Sequence, residues 1–378
     1  MIYLDYNATT PTDKAVADAM LPYILGNFGN PSSSHQYGLL ARQAVDTARA
    51  QVASLLGAKP SEIVFTSGGS ESNNMAIKGV ACTLHAKGNH IITSQIEHPA
   101  VLNPCRFLEK NGYTITYLPV DKYGTVDPDD VAKAITNKTI LVTIMHANNE
   151  TGTIQPISAI SSVCRKRGVL LHTDAAQSVG KVPVRVDDLG VDFLTVAGHK
   201  LYAPKGIGAL YIRDGLCIEP LIHGAGHESG RRAGTENVVF DVGLGRACQL
   251  AEGLLNGTTI RSLTMRLHGG IRSIFGDRVR LNGHPSSRLP NTLFISFLGF
   301  ADGAIQRSLG CVAVSAGSAC HSGAATVSPV LKAMGVSAAE NATTVRFSLG
   351  RFTTEHEIDI VLDSLADVPD KNAAGSGE

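Results

Sequence analysis

The sequence has no tryptophan, few aromatic residues, and no excess of charge: Lys plus Arg and Asp plus Glu each number 33. With no basic surplus there is nothing to draw in nucleic acid or an anionic membrane, which moves small-molecule chemistry forward. No apolar run approaches the roughly 20 residues that span a bilayer. The first acid, Asp5, arrives before any hydrophobic stretch, so the expectation is a soluble, leaderless protein. No C-x-x-C pair occurs, and the seven cysteines, at 82, 105, 164, 217, 248, 311 and 320, are odd in number. That argues against a disulfide framework or a Cys-rich zinc site and for a reducing compartment, the cytoplasm.

What is present suits a buried sheet with tight turns: 378 residues, 43% hydrophobic, with 39 glycines. Short apolar runs recur at Ile63–Thr66, His90–Ser94, Tyr113–Val120, Ile140–Ala147, Val169–Asp174, Phe193–Ala197 and Gly208–Arg213. Most are continuous rather than alternating, as strands covered on both faces must be. Between them Ser70–His85, Ala100–Lys110, Asp129–Ile135 and Ile157–Arg167 carry helical spacing. Alternating strand and helix predicts an α/β domain with parallel pairing and right-handed crossovers. After about residue 255 the pattern changes. A helix at Ile260–Phe275, strands at Arg278–Leu281, Thr292–Ser296 and Thr344–Leu349, and a last helix from Thr354 predict a smaller α+β domain. The expected division is 1–255, whose first fifteen or so residues pack on the small domain, then 256–366, then a disordered polar tail, 367–378.

Ligands of open α/β sheets gather at the carboxyl ends of strands, so the polar residues there are the candidates. Thr66-Ser-Gly-Gly-Ser-Glu-Ser-Asn-Asn74 follows a strand and opens a helix. Its glycines and helix N–H groups suit a phosphate, although such a segment taken alone is more often an ordinary Ser-rich helix cap. No G-x-x-x-x-G-K-[ST] or G-x-G-x-x-G accompanies it. A second strand ends in His172, Asp174 and Gln177, where the carboxylate suits a protonated ring nitrogen, a metal, or a helix cap. A third runs into Gly198-His-Lys200, a lysine whose desolvation would favour imine chemistry. Finally, Ser315-Ala-Gly-Ser-Ala-Cys-His-Ser-Gly323 offers one thiol, Cys320, beside His321 in a small-residue segment expected to be a mobile loop. A phosphate cradle, an Asp and a Lys at successive strand ends are together what pyridoxal 5'-phosphate requires.

At this point the sequence resembles the cysteine desulfurases of the class V aminotransferase family, fold type I, with their relatives the selenocysteine lyases. The resemblance is carried by Tyr3-Leu-Asp-Tyr-Asn-Ala-Thr-Thr-Pro11, Gly29-Asn-Pro-Ser32, Phe65-Thr-Ser-Gly-Gly-Ser-Glu-Ser-Asn73 and Glu97-His98. It continues through Asn148-Asn-Glu-Thr-Gly152, His172-Thr-Asp-Ala-Ala-Gln177, Gly198-His-Lys200 and Arg346-Phe-Ser-Leu-Gly-Arg-Phe352, covering about residues 2–365. It implies a pyridoxal phosphate-dependent transferase fold: a large α/β/α domain with a mainly parallel sheet, and a smaller α+β domain. It implies that Lys200 binds the cofactor aldehyde and later moves the substrate α-proton. Asp174 would pair with the ring nitrogen, Gln177 and Asn149 would face the cofactor hydroxyl, and His98 would stack on the ring as an acid/base group. Gly69, Ser70 and His199 would hold the phosphate, with Thr235 reaching the partner subunit's phosphate in a homodimer. Arg346, with Asn149 beside it, would bind the substrate carboxylate, and Cys320 would take the substrate sulfur as a persulfide.

Converting L-cysteine to L-alanine and passing sulfur to an acceptor protein, for iron–sulfur cluster assembly or another sulfur pathway, is thus the leading expectation. The alternative is a selenocysteine lyase acting on L-selenocysteine, because Cys320-His-Ser followed by Ser328-Pro-Val-Leu331 is similar to those enzymes. Pro99 after Glu97-His98 matches neither group, and Lys332-Ala-Met-Gly335 is nearer the desulfurases. Ser70 stands where many relatives have Thr, and Ala197 where bacterial desulfurases often have Ser, which removes one phosphate donor. A non-catalytic sulfur-relay scaffold is disfavoured because every residue needed for imine chemistry is there. A metal site built from His98, His172, Asp174 and His199 is disfavoured for want of ligand spacing.

Overall fold

The computed structural model describes residues 1–255, 257–316, 318–321 and 324–368, with backbone alone over 318–321 and 324–327. A short strand, β1 (Ile2–Tyr3), precedes the seven strands of the main sheet: β2 (Ile63–Thr66), β3 (His90–Ser94), β4 (Thr114–Leu118), β5 (Thr139–Thr143), β6 (Leu170–Asp174), β7 (Phe193–Ala197) and β8 (Gly208–Ile212). Their order is β2-β8-β7-β6-β5-β3-β4.

All pairings are parallel except those of β8, which is antiparallel to both β2 and β7. The sheet is thus mainly parallel, as expected, and the length of the connection after β7 explains the exception at β8. A parallel crossover needs a dozen or more residues, usually a helix, whereas 198–207 carries only one short turn and sends the chain straight back.

Successive residues of the strands enter two different cores. Val64, Ile91, Leu141, Phe193 and Leu210 join Met75, Ile77 and Val80 of helix Gly69–Leu84 and Val101 of helix Pro99–Glu109. Ile63, Ile92, Val142, Leu194 and Ala209 face the other way, against helices Gln36–Leu56, Ile157–Arg167 and Val238–Leu254. Burial on both faces is what the continuous apolar runs call for. The helix predicted at Ile157–Arg167 and the strands predicted at Ile63–Thr66, His90–Ser94 and Phe193–Ala197 occur with those bounds, and the other predicted elements shift by a residue or a few at one or both ends.

The later part of the chain builds a four-stranded antiparallel sheet, in the order Ser315–Ala316, Thr344–Ser348, Thr292–Phe297 and Val279–Leu281. Helices Thr259–Phe275 and Glu355–Ala366 cover it. The chain's first residues share that core: Ile2 and Leu4 are buried in it, and β1 pairs in parallel with Val312–Ala313. Tyr6 then donates its N–H to the Ser348 carbonyl, which carries Asn7 to the edge of the main sheet. Within the segment expected as a mobile loop, the backbone of Ser318–His321 pairs antiparallel with Ala324–Val327, Cys320 opposite Ala325. The side chain of Cys320, and residues 369–378 of the predicted tail, lie outside the described residues. No helix among the described residues is long and apolar enough to cross a membrane.

Candidate active site

Strands β2, β3, β5, β6 and β7 run the same way, so their carboxyl ends open on one edge of the sheet. There a cleft of about 460 Å³ is lined by residues at the ends of these five strands, by Asn7 and Ala8, and by Arg346 from the smaller sheet. The structure brings Gly69, Ser70, His98, Asn149, Asp174, Gln177, His199, Lys200 and Arg346 into this one cleft. Thr235 is exposed and lies outside it.

Asp174 closes β6 and is buried. Its Oδ2 accepts from Asn73 Nδ2 at 2.7 Å and its Oδ1 from the Ala176 N–H at 2.9 Å, so neither oxygen is free to turn. Lys200 ends the turn after β7 and donates from Nζ to the carbonyls of Asn7 and, at 2.7 Å, Ala8. Burial, reinforced by the Arg346 guanidinium, pulls its amine down to about 8 from 10.5, and Asp5 and Asp174 oppose that only in part.

His98 caps helix Pro99–Glu109, its Nδ1 accepting from the Ala100 N–H at 3.1 Å. Burial holds its imidazole below the usual range. His199 is pushed down to about 4 by burial and then by Lys200, and shares a 3.2 Å contact with the Thr9 hydroxyl. Both rings are therefore neutral near pH 7 and can each donate and accept. His172, by contrast, is wholly buried between the hydroxyls of Thr143 and Thr195 and is not part of the cleft. Among the described residues no group of three His, Cys, Asp or Glu is placed to hold a metal.

Arg346 donates from Nη1 to the Asn149 carbonyl at 2.9 Å and from Nη2 to Asp5 Oδ1 at 2.7 Å and Ser315 Oγ at 2.9 Å. Two atoms of cleft-lining residues, Asn73 Oδ1 and Arg346 Nε, are buried with no hydrogen-bond partner. Such orphans mark a site shaped for a polar ligand. The 66–70 loop reaches the cleft because β8 begins with glycine: a Cβ on Gly208 would stand 2.7 Å from the Gly68 Cα. Gly68 itself has φ +148°, which a side chain would resist, and it presents the N-terminus of the sixteen-residue helix Gly69–Leu84. An anion cradle, a fixed carboxylate and a partly deprotonated lysine in one cleft fit pyridoxal phosphate.

The family model for class-V aminotransferases matches residues 2–361. The chain belongs to the class-V aminotransferase family. It is 50% identical over 376 residues to the cysteine desulfurase IscS of Dictyoglomus turgidum, covering 98% of this chain and 95% of that one. With the IscS of Methanosarcina thermophila it shares 46% identity over 98% and 92% of the two chains. Among solved structures, a NifS-like protein superposes with a TM-score of 0.90 at 37% identity, covering 97% of this chain and 98% of that one. SspA, solved in complex with cysteine, gives 0.83 at 40% identity over 94% and 100%.

Sequence reasoning missed several members of the site. Asn7 is buried, and its backbone carbonyl receives both Lys200 and Gln177, while its side chain reaches Lys181, Asn149 and Thr292. Glu97, next to His98, is wholly buried, accepts from the Ser94 hydroxyl and the Met145 N–H, and is pushed up by burial to about 8. Asn7 and Glu97 both sit inside the motifs that carry the resemblance, so a signal was there, but not one that spacing alone could interpret.

Proposed function

We infer that the chain is a pyridoxal phosphate-dependent cysteine desulfurase. The observation that carries the reading is the convergence of Lys200, Asp174, His98 and Arg346 on one cleft in a chain half identical to a cysteine desulfurase. The bound cofactor supplies an electron sink that withdraws charge from the substrate α-carbon.

The protein's own groups do the rest. Asp174, held from two sides, keeps the ring nitrogen protonated. The N-terminus at Gly69 and Ser70, with His199, binds the phosphate, and Ser70 supplies the hydroxyl on that side. Lys200, with its amine near 8, has a usable fraction of free base at neutral pH, so it would hold the cofactor's aldehyde and carry the substrate α-proton. Gln177 and Asn149 address the hydroxyl side, and neutral His98 moves a proton beside the ring. Arg346 orients the α-carboxylate, its buried Nε being the donor without a partner.

Cys320 attacks the substrate sulfur as thiolate. The new S–S bond takes the place of the substrate Cβ–S bond, and Cβ gains a proton. Cysteine plus the Cys320 thiol thus becomes alanine plus a persulfide on Cys320, with atoms balanced and no outside oxidant. An acceptor protein then removes the sulfur, in iron–sulfur cluster assembly or a related pathway. A homodimer is supported by the exposed apolar residues Leu21, Ile24, Leu25, Phe28 and Tyr37, and in such a dimer the exposed Thr235 would reach the partner subunit's phosphate. The six described cysteines are unpaired, which suits a reducing cytoplasm. The test is alanine release from cysteine by purified protein. It is expected to collapse in Cys320→Ser with the cofactor still bound, and full turnover in that variant would overturn the reading.

A further inference from the structure

Lys181 has no part in the chemistry above, yet its Nζ lies at the centre of the network under the cleft. It contacts Oδ1 of Asn7 and Oε1 of Gln177, each at 2.8 Å. The orientation of both amides is fixed independently. Asn7 Nδ2 points at the Asn149 carbonyl and Gln177 Nε2 at the Asn7 carbonyl, acceptors that tolerate only an N–H. Both side-chain oxygens must therefore face Lys181, and Lys181 must donate twice.

An uncharged primary amine has the two N–H bonds this needs. Desolvation of its amine, with Lys200 and Arg346 as neighbouring cations, drives Lys181 well below the ordinary lysine range and towards that form. Gln177 lines the cleft. With its oxygen anchored and one N–H on the Asn7 carbonyl, its second N–H is left for a ligand. Without Lys181 the amide is held by the Asn7 carbonyl alone, and its second N–H is no longer aimed at one point.

We propose that Lys181 is a positioning residue: by anchoring Gln177 Oε1 and Asn7 Oδ1 it holds a Gln177 N–H towards the cofactor's hydroxyl oxygen and so sets the acidity of the bound cofactor. This rests on the reading of the cleft as a pyridoxal phosphate site. A donor on that oxygen withdraws charge from it, so losing the donor makes the bound cofactor hold its proton more tightly.

The experiment is a pH titration of the visible band of the full-length, cofactor-loaded protein. Lys181→Met is expected to move the midpoint upward by about one pH unit, a tenfold change in proton affinity. Gln177→Leu should give the same shift, and the double variant no more than either single one, since both remove one donor. Lys181→Gln, which keeps a donor at that position, should give a smaller shift in the same direction and serves if the Met variant does not fold. An unmoved midpoint with only a lowered melting temperature, or shifts that add in the double variant, would overturn the proposal. Absence of any visible band in the unaltered protein would instead sink the cofactor reading.

Discussion

Asn73 Nδ2 donates to Asp174 Oδ2 at 2.7 Å, joining the helix after β2 to the end of β6 beneath the cleft. A hydrogen bond to an ionised group contributes about 1.5–3 kcal/mol. Asn73→Leu should accordingly lower kcat about ten- to a hundredfold with little change in KM for cysteine, because the carboxylate is misaligned while the substrate's own contacts remain. Steady-state kinetics on the loaded enzyme check this, and an equal loss confined to KM would contradict it.

Gly208→Ala should weaken cofactor binding without removing any cofactor contact. The new methyl would lie 2.6 Å from the Val196 carbonyl and 2.7 Å from the Gly68 Cα, and backbone must give way. Overpacking of this kind costs about 1–3 kcal/mol, which corresponds to roughly a five- to hundredfold rise in the cofactor dissociation constant if it falls on the 66–70 loop. Fluorescence titration of the apoprotein with pyridoxal phosphate measures it.

Glu97 makes stability depend on pH in a stated direction. Its folded value, about 8, lies above the ordinary 4.5, so the native state binds more protons than the unfolded one between those limits. Its burial costs nothing below pH 4.5, an increasing amount from 4.5 to 8, and the full penalty above 8. Glu97→Gln keeps the acceptor for Ser94 and Met145, and should leave stability unchanged near pH 4.5 while raising it by up to about 4 kcal/mol at pH 8. Denaturant unfolding of both proteins at the two pH values reads the difference, and an equal gain at both would refute the assignment.

Lys200→Ala removes both the amine and its bonds to the Asn7 and Ala8 carbonyls. Alanine formation should fall by about a thousandfold or more, as expected when a covalent attachment and a proton carrier are lost together. Retention of more than a tenth of the activity would show that another group carries the proton.

Much of this site was legible before the structure because its chemistry is local to strand ends. Asp174 and Lys200 each stand at or just beyond a run of buried apolar residues, and a glycine pair precedes a helix at Gly69. What was not legible are partnerships across the chain. The Asn7 carbonyl and Lys200 Nζ meet across 193 positions, and Arg346 reaches Asp5 across 341. Lys181 reads as one more lysine after a glycine until the fold sets its amine between the side-chain oxygens of Asn7 and Gln177. The reversal of β8 escaped for a different reason: its apolar pattern is that of a buried strand in either direction, and only the short connection tells which.

The central claim is that sulfur passes from cysteine to Cys320. Mass analysis of the Cys320 peptide after brief incubation of the loaded protein with cysteine, without reductant, tests it most directly. One added sulfur atom on that peptide, removed by a thiol reductant and absent in Lys200→Ala, is the predicted result. Alanine released in step with cysteine consumed, with the Cys320 peptide unmodified throughout, would contradict it.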